Sequence, residues 1–222
     1  MMWLWNFVSS SIGKKLLMSL SGLFFCSFLV VHLSGNTLLF IGADEFNAYT
    51  TFMSSSNLIF GMEIMMIVLF LLHIYTSAVL TLENRAARPE KYKMDVSAGK
   101  RTIMSSNMFI TGSIVVIFVV LHVWQFKYGD WSNTDPDSMS MYALVAFKLK
   151  SPLYALGYVV AVIGVGFHLN HSFQSAFQTL GINHLKYTPL IKKLGTLFAI
   201  LVGIGFASFP VYFYITPLVT GG

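Results

Sequence analysis

Residues 16–41, LLMSLSGLFFCSFLVVHLSGNTLLFI, run for 26 positions without one charged side chain. A bilayer's hydrocarbon core, roughly 30 Å thick, is crossed by about 20 apolar residues in a helix, so this stretch is long enough to span it. Four more stretches of the same kind follow, at residues 58–82, 107–126, 153–176 and 195–214. None alternates apolar with polar residues as a barrel strand does, and an open sheet would leave backbone groups unpaired in lipid. The expected fold is therefore all-α, an integral membrane bundle of five transmembrane helices forming one domain over residues 1–222.

Composition agrees with the pattern. Of 222 residues, 55% are hydrophobic and 10% charged, and the mean hydropathy is +0.69, more apolar than a water-soluble domain sustains. The single cysteine, Cys26, lies inside the first apolar run, which excludes an intrachain disulfide and a cysteine-held metal cluster. It reads as a small buried side chain. The first run is too long for a cleaved signal peptide and ends in Ser34-Gly35-Asn36, which offers no A-x-A site, so it is expected to stay in the mature chain. Ahead of it, Trp3, Trp5 and Phe7 suit an interfacial anchor segment.

The net charge of +5 is a topology signal rather than a nucleic-acid surface. Lys14 and Lys15 precede the first helix; Arg85, Arg88, Lys91, Lys93, Lys100 and Arg101 lie between the second and third; Lys186, Lys192 and Lys193 lie between the fourth and fifth. Eleven of the fourteen basic residues thus fall on one side, which the positive-inside rule makes cytoplasmic. The N-terminus is then inside and the C-terminus outside.

Six histidines are present, and four of them sit one per helix: His32, His73, His122 and His168. An imidazole in lipid is costly and usually faces the bundle interior with a partner. With alternating helix directions, His32 and His122 fall towards the outer ends of the first and third helices. His73 and His168 fall past the midpoints of the second and fourth, towards the cytoplasm. Two pairs at two depths suit a metal held between opposite ligands, whereas a bare zinc or copper site would want three or four ligands at one level. Neutral imidazole is a common haem ligand, and two per iron fill both axial positions, leaving an electron carrier. Gly22, Gly61, Gly112 and Gly157 each precede the histidine of their helix by ten to twelve residues, roughly 15 to 18 Å, which places them near the level of the other pair. A residue without a side chain leaves room there for a porphyrin face or for close helix packing.

These residues resemble a known family, the single-chain, two-haem cytochrome b subunit, b558 type, of succinate:quinone oxidoreductases, the succinate dehydrogenases and fumarate reductases. The resemblance is carried by Lys14-Lys15, Ser19-Leu20-Ser21-Gly22, His32-Leu33-Ser34-Gly35-Asn36, then His73, His122, and His168 followed by SFQSAFQTLG at residues 172–181. It covers essentially the whole chain. It implies a distal haem b between His32 and His122 and a proximal haem b between His73 and His168, the pairing already read from depth. It also implies a flavoprotein subunit that carries the dicarboxylate chemistry, an iron-sulfur subunit on the cytoplasmic face, and a membrane quinone as substrate, menaquinone ahead of ubiquinone. The expected place is the bacterial inner (cytoplasmic) membrane. Several members of the family carry an acidic residue near the haem histidine of the fourth helix, associated with transmembrane proton movement; here Gly166, Phe167 and Leu169 surround His168, so the resemblance does not extend to that pathway.

The remaining candidates have open alternatives. His171, three residues after His168, shares nearly the same helix face and is an alternative ligand or a propionate partner. Ser19, Ser21, Arg101, Ser105 and Ser106 lie near the inner ends of the first and third helices, as propionate donors or equally as caps and topology charges. Glu63 is the one acid well inside an apolar stretch, either a proton-exchanging group for quinone at the outer side or a boundary residue reaching water. His184 lies beside Lys186 in the basic loop and reads as solvated. Two rival functions fit five helices with histidines. One is the cytochrome b anchor of a formate dehydrogenase or hydrogenase, which usually places two haem ligands on one helix. The other is a haem-free transporter whose histidines form a proton relay.

Overall fold

A computed structural model describes residues 2–87, 108–129 and 140–216. In chain order its helices are α1 (Met2–Ser9), α2 (Ser11–Asn36) with a 3-10 turn Thr37–Phe40, α3 (Ala43–Ser55), α4 (Asn57–Ala86), α5 (Met108–Lys127), α6 (Met141–Lys150), α7 (Pro152–Thr179) and α8 (Thr188–Ile215). There is no strand among the described residues. Five of the helices, α2, α4, α5, α7 and α8, are long and apolar enough to cross a membrane, in agreement with the expectation from hydropathy. Much of their large apolar surface stays exposed, Val31, Leu71, Ile117, Val160 and Leu201 included, as expected of side chains that meet lipid tails instead of water.

The helices outrun the apolar stretches that announce them, because their polar ends find partners or caps. Ser10 caps α2, its hydroxyl accepting from the Gly13 N–H at 3.0 Å, so the helix takes in Lys14 and Lys15 before the apolar run begins. At the far end α4 continues through Glu83, which pairs with Lys14, to Arg85, whose guanidinium lies 5.1 Å from the centre of the Phe109 ring. α8 starts at Thr188 rather than at residue 195, with a proline in its first turn, where a missing N–H is harmless, and with Lys192 and Lys193 on its first two turns. α3 and α6 are additions to the expected five. Both are too short to span. They pack on each other, and through Phe46, Val145, Ala146 and Leu149 they join Leu39, Phe209 and Phe213 in a core cluster at the end of the bundle where α2 ends and α4 begins.

Four of the long helices form an incomplete square. α4 packs on α2, α2 on α7, and α7 on α5, while α4 and α5 are not packed along their length. Among the described residues they meet near their ends, by Arg85 over Phe109 at one and by the Glu63–Lys127 ion pair at the other. α8 lies outside the square against α7 and α2. Small residues bring it close: a Cβ on Gly166 would stand 3.4 Å from the Ala199 carbonyl oxygen, and the Gly166 and Gly203 backbones face each other. The square has two diagonals, α2 to α5 and α4 to α7. Its interior is where the histidines go.

Candidate cofactor site between four helices

On the first diagonal, His32 of α2 and His122 of α5 have ring centres 5.9 Å apart with planes at 83°. Aromatic side chains wall them in: Phe28 stacks on His32 at 5.2 Å, Phe206 of α8 lies 5.6 Å from it, and Phe118, Phe126 and Tyr158 surround His122. The Tyr158 hydroxyl donates to Gln125 Oε1 at 2.8 Å and lies 3.4 Å from His122 Nδ1, so its oxygen is an acceptor for that N–H. Asn36 donates its amide to the His32 carbonyl at 2.7 Å, one turn back, and holds the end of α2 at the ring.

On the second diagonal stand His73 of α4 and His168 of α7. His73 Nδ1 lies 3.1 Å from the Met18 carbonyl and 2.9 Å from Ser21 Oγ, both on α2. His168 Nδ1 lies 3.5 Å from Thr111 Oγ1 on α5. Beneath each ring is a glycine of the same neighbouring helix. A Cβ on Gly22 would stand 3.4 Å from His73 Cε1, and one on Gly112 would stand 3.5 Å from His168 Cε1.

The two levels are fixed by α2 and α5 themselves. Ser21, at the level of His73, precedes His32 by eleven residues, and Thr111, at the level of His168, precedes His122 by eleven, which puts the levels roughly 16 Å apart at 1.5 Å per residue. Of the four glycines expected near the opposite pair, Gly22 and Gly112 therefore touch imidazoles. Gly61 and Gly157 have open space around them.

The other candidates are distributed as follows. Ser21 is buried with its hydroxyl against a histidine ring, and Ser19 is buried two residues before it. His171 is half-buried, one turn beyond His168 on α7. Glu63 is partly exposed and paired with Lys127, a partner that the apolar pattern of the third helix hid at its very end. His184 is exposed in the loop before α8, its Nδ1 accepting from the Lys186 N–H at 3.2 Å. Arg101, Ser105 and Ser106 lie outside the described residues. Thr111 and Tyr158 were not marked by histidine spacing or by charge. The signal that finds Thr111 is a repeat: Ser21-Gly22 and Thr111-Gly112 are both hydroxyl-glycine steps eleven and ten residues before a histidine.

Chemically the arrangement fits a metal with two opposite imidazoles. A metal–imidazole bond is about 2 Å and the ring centre lies about 1 Å beyond the nitrogen, so two such rings are roughly 6 Å apart across one ion. The His32–His122 separation matches. No group of three or more His, Cys, Asp or Glu among the described residues converges as a bare metal site would need.

The chain is similar to a succinate dehydrogenase cytochrome b558 subunit. That protein, from Bacillus subtilis (strain 168), is 27% identical over 182 residues, 79% of this chain and 81% of its own. No family model matches the chain, and no solved structure matches it.

Proposed function

We propose that this chain is the membrane-anchor cytochrome b of a succinate dehydrogenase or fumarate reductase complex, holding two b-type haems at two levels. His73 and His168 would hold the inner one, and His32 and His122 the outer one. The observation that carries the reading is the diagonal placing of one histidine from each of four helices at two levels, with α4 and α5 not packed along their length. Similarity over four-fifths of the length to the succinate dehydrogenase subunit supports it independently.

Bis-imidazole haem supplies one-electron carriage with no vacant position for oxygen chemistry. The protein's own part is to hold the imidazoles of His73, His122 and His168 by Nδ1, to keep water from the rings with the aromatic side chains around them, and to stack the two levels between the faces of the membrane. Electrons from an iron-sulfur subunit, itself fed by a flavoprotein that carries the dicarboxylate site, would enter on the basic face. That face bears Lys14, Lys15, Lys186, Lys192 and Lys193 and is cytoplasmic in the positive-inside orientation, with the N-terminus inside and the C-terminus outside. The membrane is then the cytoplasmic membrane of a bacterium. Quinone, menaquinone before ubiquinone, is the substrate in the bilayer, with Glu63 as its proton-exchanging group at the outer end.

The test is haem quantitation on the purified complex and on His32→Ala, His73→Ala, His122→Ala and His168→Ala. The unaltered complex should hold two haems per chain and reduce them with succinate. Each substitution should remove one haem, His32 and His122 the same one, His73 and His168 the other. A His171→Ala variant that lost the inner haem while His168→Ala kept it would exchange those two roles. A colourless complex would return the histidines to a proton relay.

A further inference from the structure

The hydroxyl-glycine steps on α2 and α5 do more than leave room. A carbonyl oxygen only accepts, so the 3.1 Å approach of His73 Nδ1 to the Met18 carbonyl requires the hydrogen to be on Nδ1. Ser21 donates its own hydroxyl hydrogen back to the Leu17 carbonyl at 2.8 Å, which leaves an oxygen lone pair facing His73 Nδ1 at 2.9 Å. Nε2 then bears the lone pair, on the side of the ring away from α2. Thr111 repeats the arrangement on α5: its hydroxyl donates to the Met108 carbonyl at 3.2 Å and its oxygen lies 3.5 Å from His168 Nδ1. In both places the next residue is a glycine, so that the imidazole rests against backbone. Neither hydroxyl is on the helix that carries the histidine it meets.

We infer that Ser21 and Thr111 are positioning residues for the inner pair, each tying down Nδ1–H of the imidazole of a neighbouring helix so that Nε2 faces the cofactor. This rests on the haem reading above. An Nδ1–H bonded to oxygen makes the imidazole a stronger electron donor, which favours ferric over ferrous iron. Removing the oxygen should therefore raise the reduction potential of the inner haem. The outer pair supplies a control within the same molecule, because its rings meet other partners, Tyr158 and Asn36.

The experiment is a potentiometric titration of both haems in the intact complex, with the two waves assigned from His32→Ala and His73→Ala. Ser21→Ala should shift the inner wave upward, by up to about tenfold in the ferric/ferrous equilibrium, or about 59 mV for a one-electron couple. The outer wave should stay in place. His73 keeps the Met18 carbonyl in that variant, so the haem should be retained, and Ser21→Thr should restore the original potential. Thr111→Val should shift the same wave upward by less, given the longer contact. Both waves unmoved with two haems bound, or the outer wave moving as far as the inner, would overturn the inference and leave the haem reading standing. Loss of the inner haem in both Ser21→Ala and Ser21→Thr would overturn it as well, since the hydroxyl would then not be what matters. An unaltered complex with fewer than two haems would instead sink the function proposed above.

Discussion

At the scale of single residues, Gly22 is the most open to a test, because it lies directly against the His73 ring. A methyl group there would make ordinary van der Waals contact with His73 Cε1 at 3.4 Å, whereas a longer side chain would have to occupy the ring's own position. Gly22→Ala should keep both haems, and Gly22→Leu should lose the inner one alone, as read from difference spectra of the purified complex. Glu63 gives a second case. Its pair with Lys127 is half-exposed and contributes about 0–1 kcal/mol, so Glu63→Gln should leave the chain as stable as before. If the carboxyl exchanges protons with quinone, succinate-to-quinone turnover should fall in that variant while both haem spectra survive; unchanged turnover would leave Glu63 as half of a surface ion pair. The four histidines were legible in the sequence because imidazole is rare inside apolar runs. Ser21 and Thr111 were harder to read, since serine and threonine are unremarkable in such runs. Their role depends on which helix lies beside them, which periodicity does not state.

The helices themselves divide the same way. The five spanning helices follow from hydropathy, and the structure moves only their ends, at positions such as Ser10, Glu83 and Thr188 where a cap, an ion pair or a first-turn proline prolongs the helix. α3 and α6 were not legible as helices. Their sequences are too short and too polar for the bilayer criterion, and what holds them is tertiary, the contact of Phe46, Val145 and Leu149 with the C-terminal end of α8. The packing of α8 was also hidden, since glycine is common in membrane helices and only the structure says that Gly203 meets Gly166. Gly203→Leu should force α8 away from α7, with overpacking typically costing about 1–3 kcal/mol. The expected readout is earlier thermal loss of the folded subunit in detergent, with haem absorption declining in step. A melting profile equal to that of the unaltered chain would mean that the helices part without cost.

For the whole molecule, the telling feature is the side of the square that is not closed. Three sides are made by helix against helix, while between α4 and α5 the described residues place two fasteners, Arg85 over Phe109 and Glu63 with Lys127. Whatever fills that space contributes to stability, because a ligand that binds the folded chain and not the unfolded one adds RT ln(1 + [L]/Kd) to it. Cells starved of porphyrin should accordingly accumulate less of this chain at equal transcript level, and supplying haem should restore it, as measured by immunoblot of membranes. Equal accumulation with and without haem would mean that the two fasteners suffice. That side also runs along the helix axes and does not lie at an end of the bundle. If that side meets lipid, the subunit resembles an unsealed envelope lying in oil: a flat greasy molecule could enter it edgewise after the helices are threaded, and insertion and loading would be separable steps of assembly.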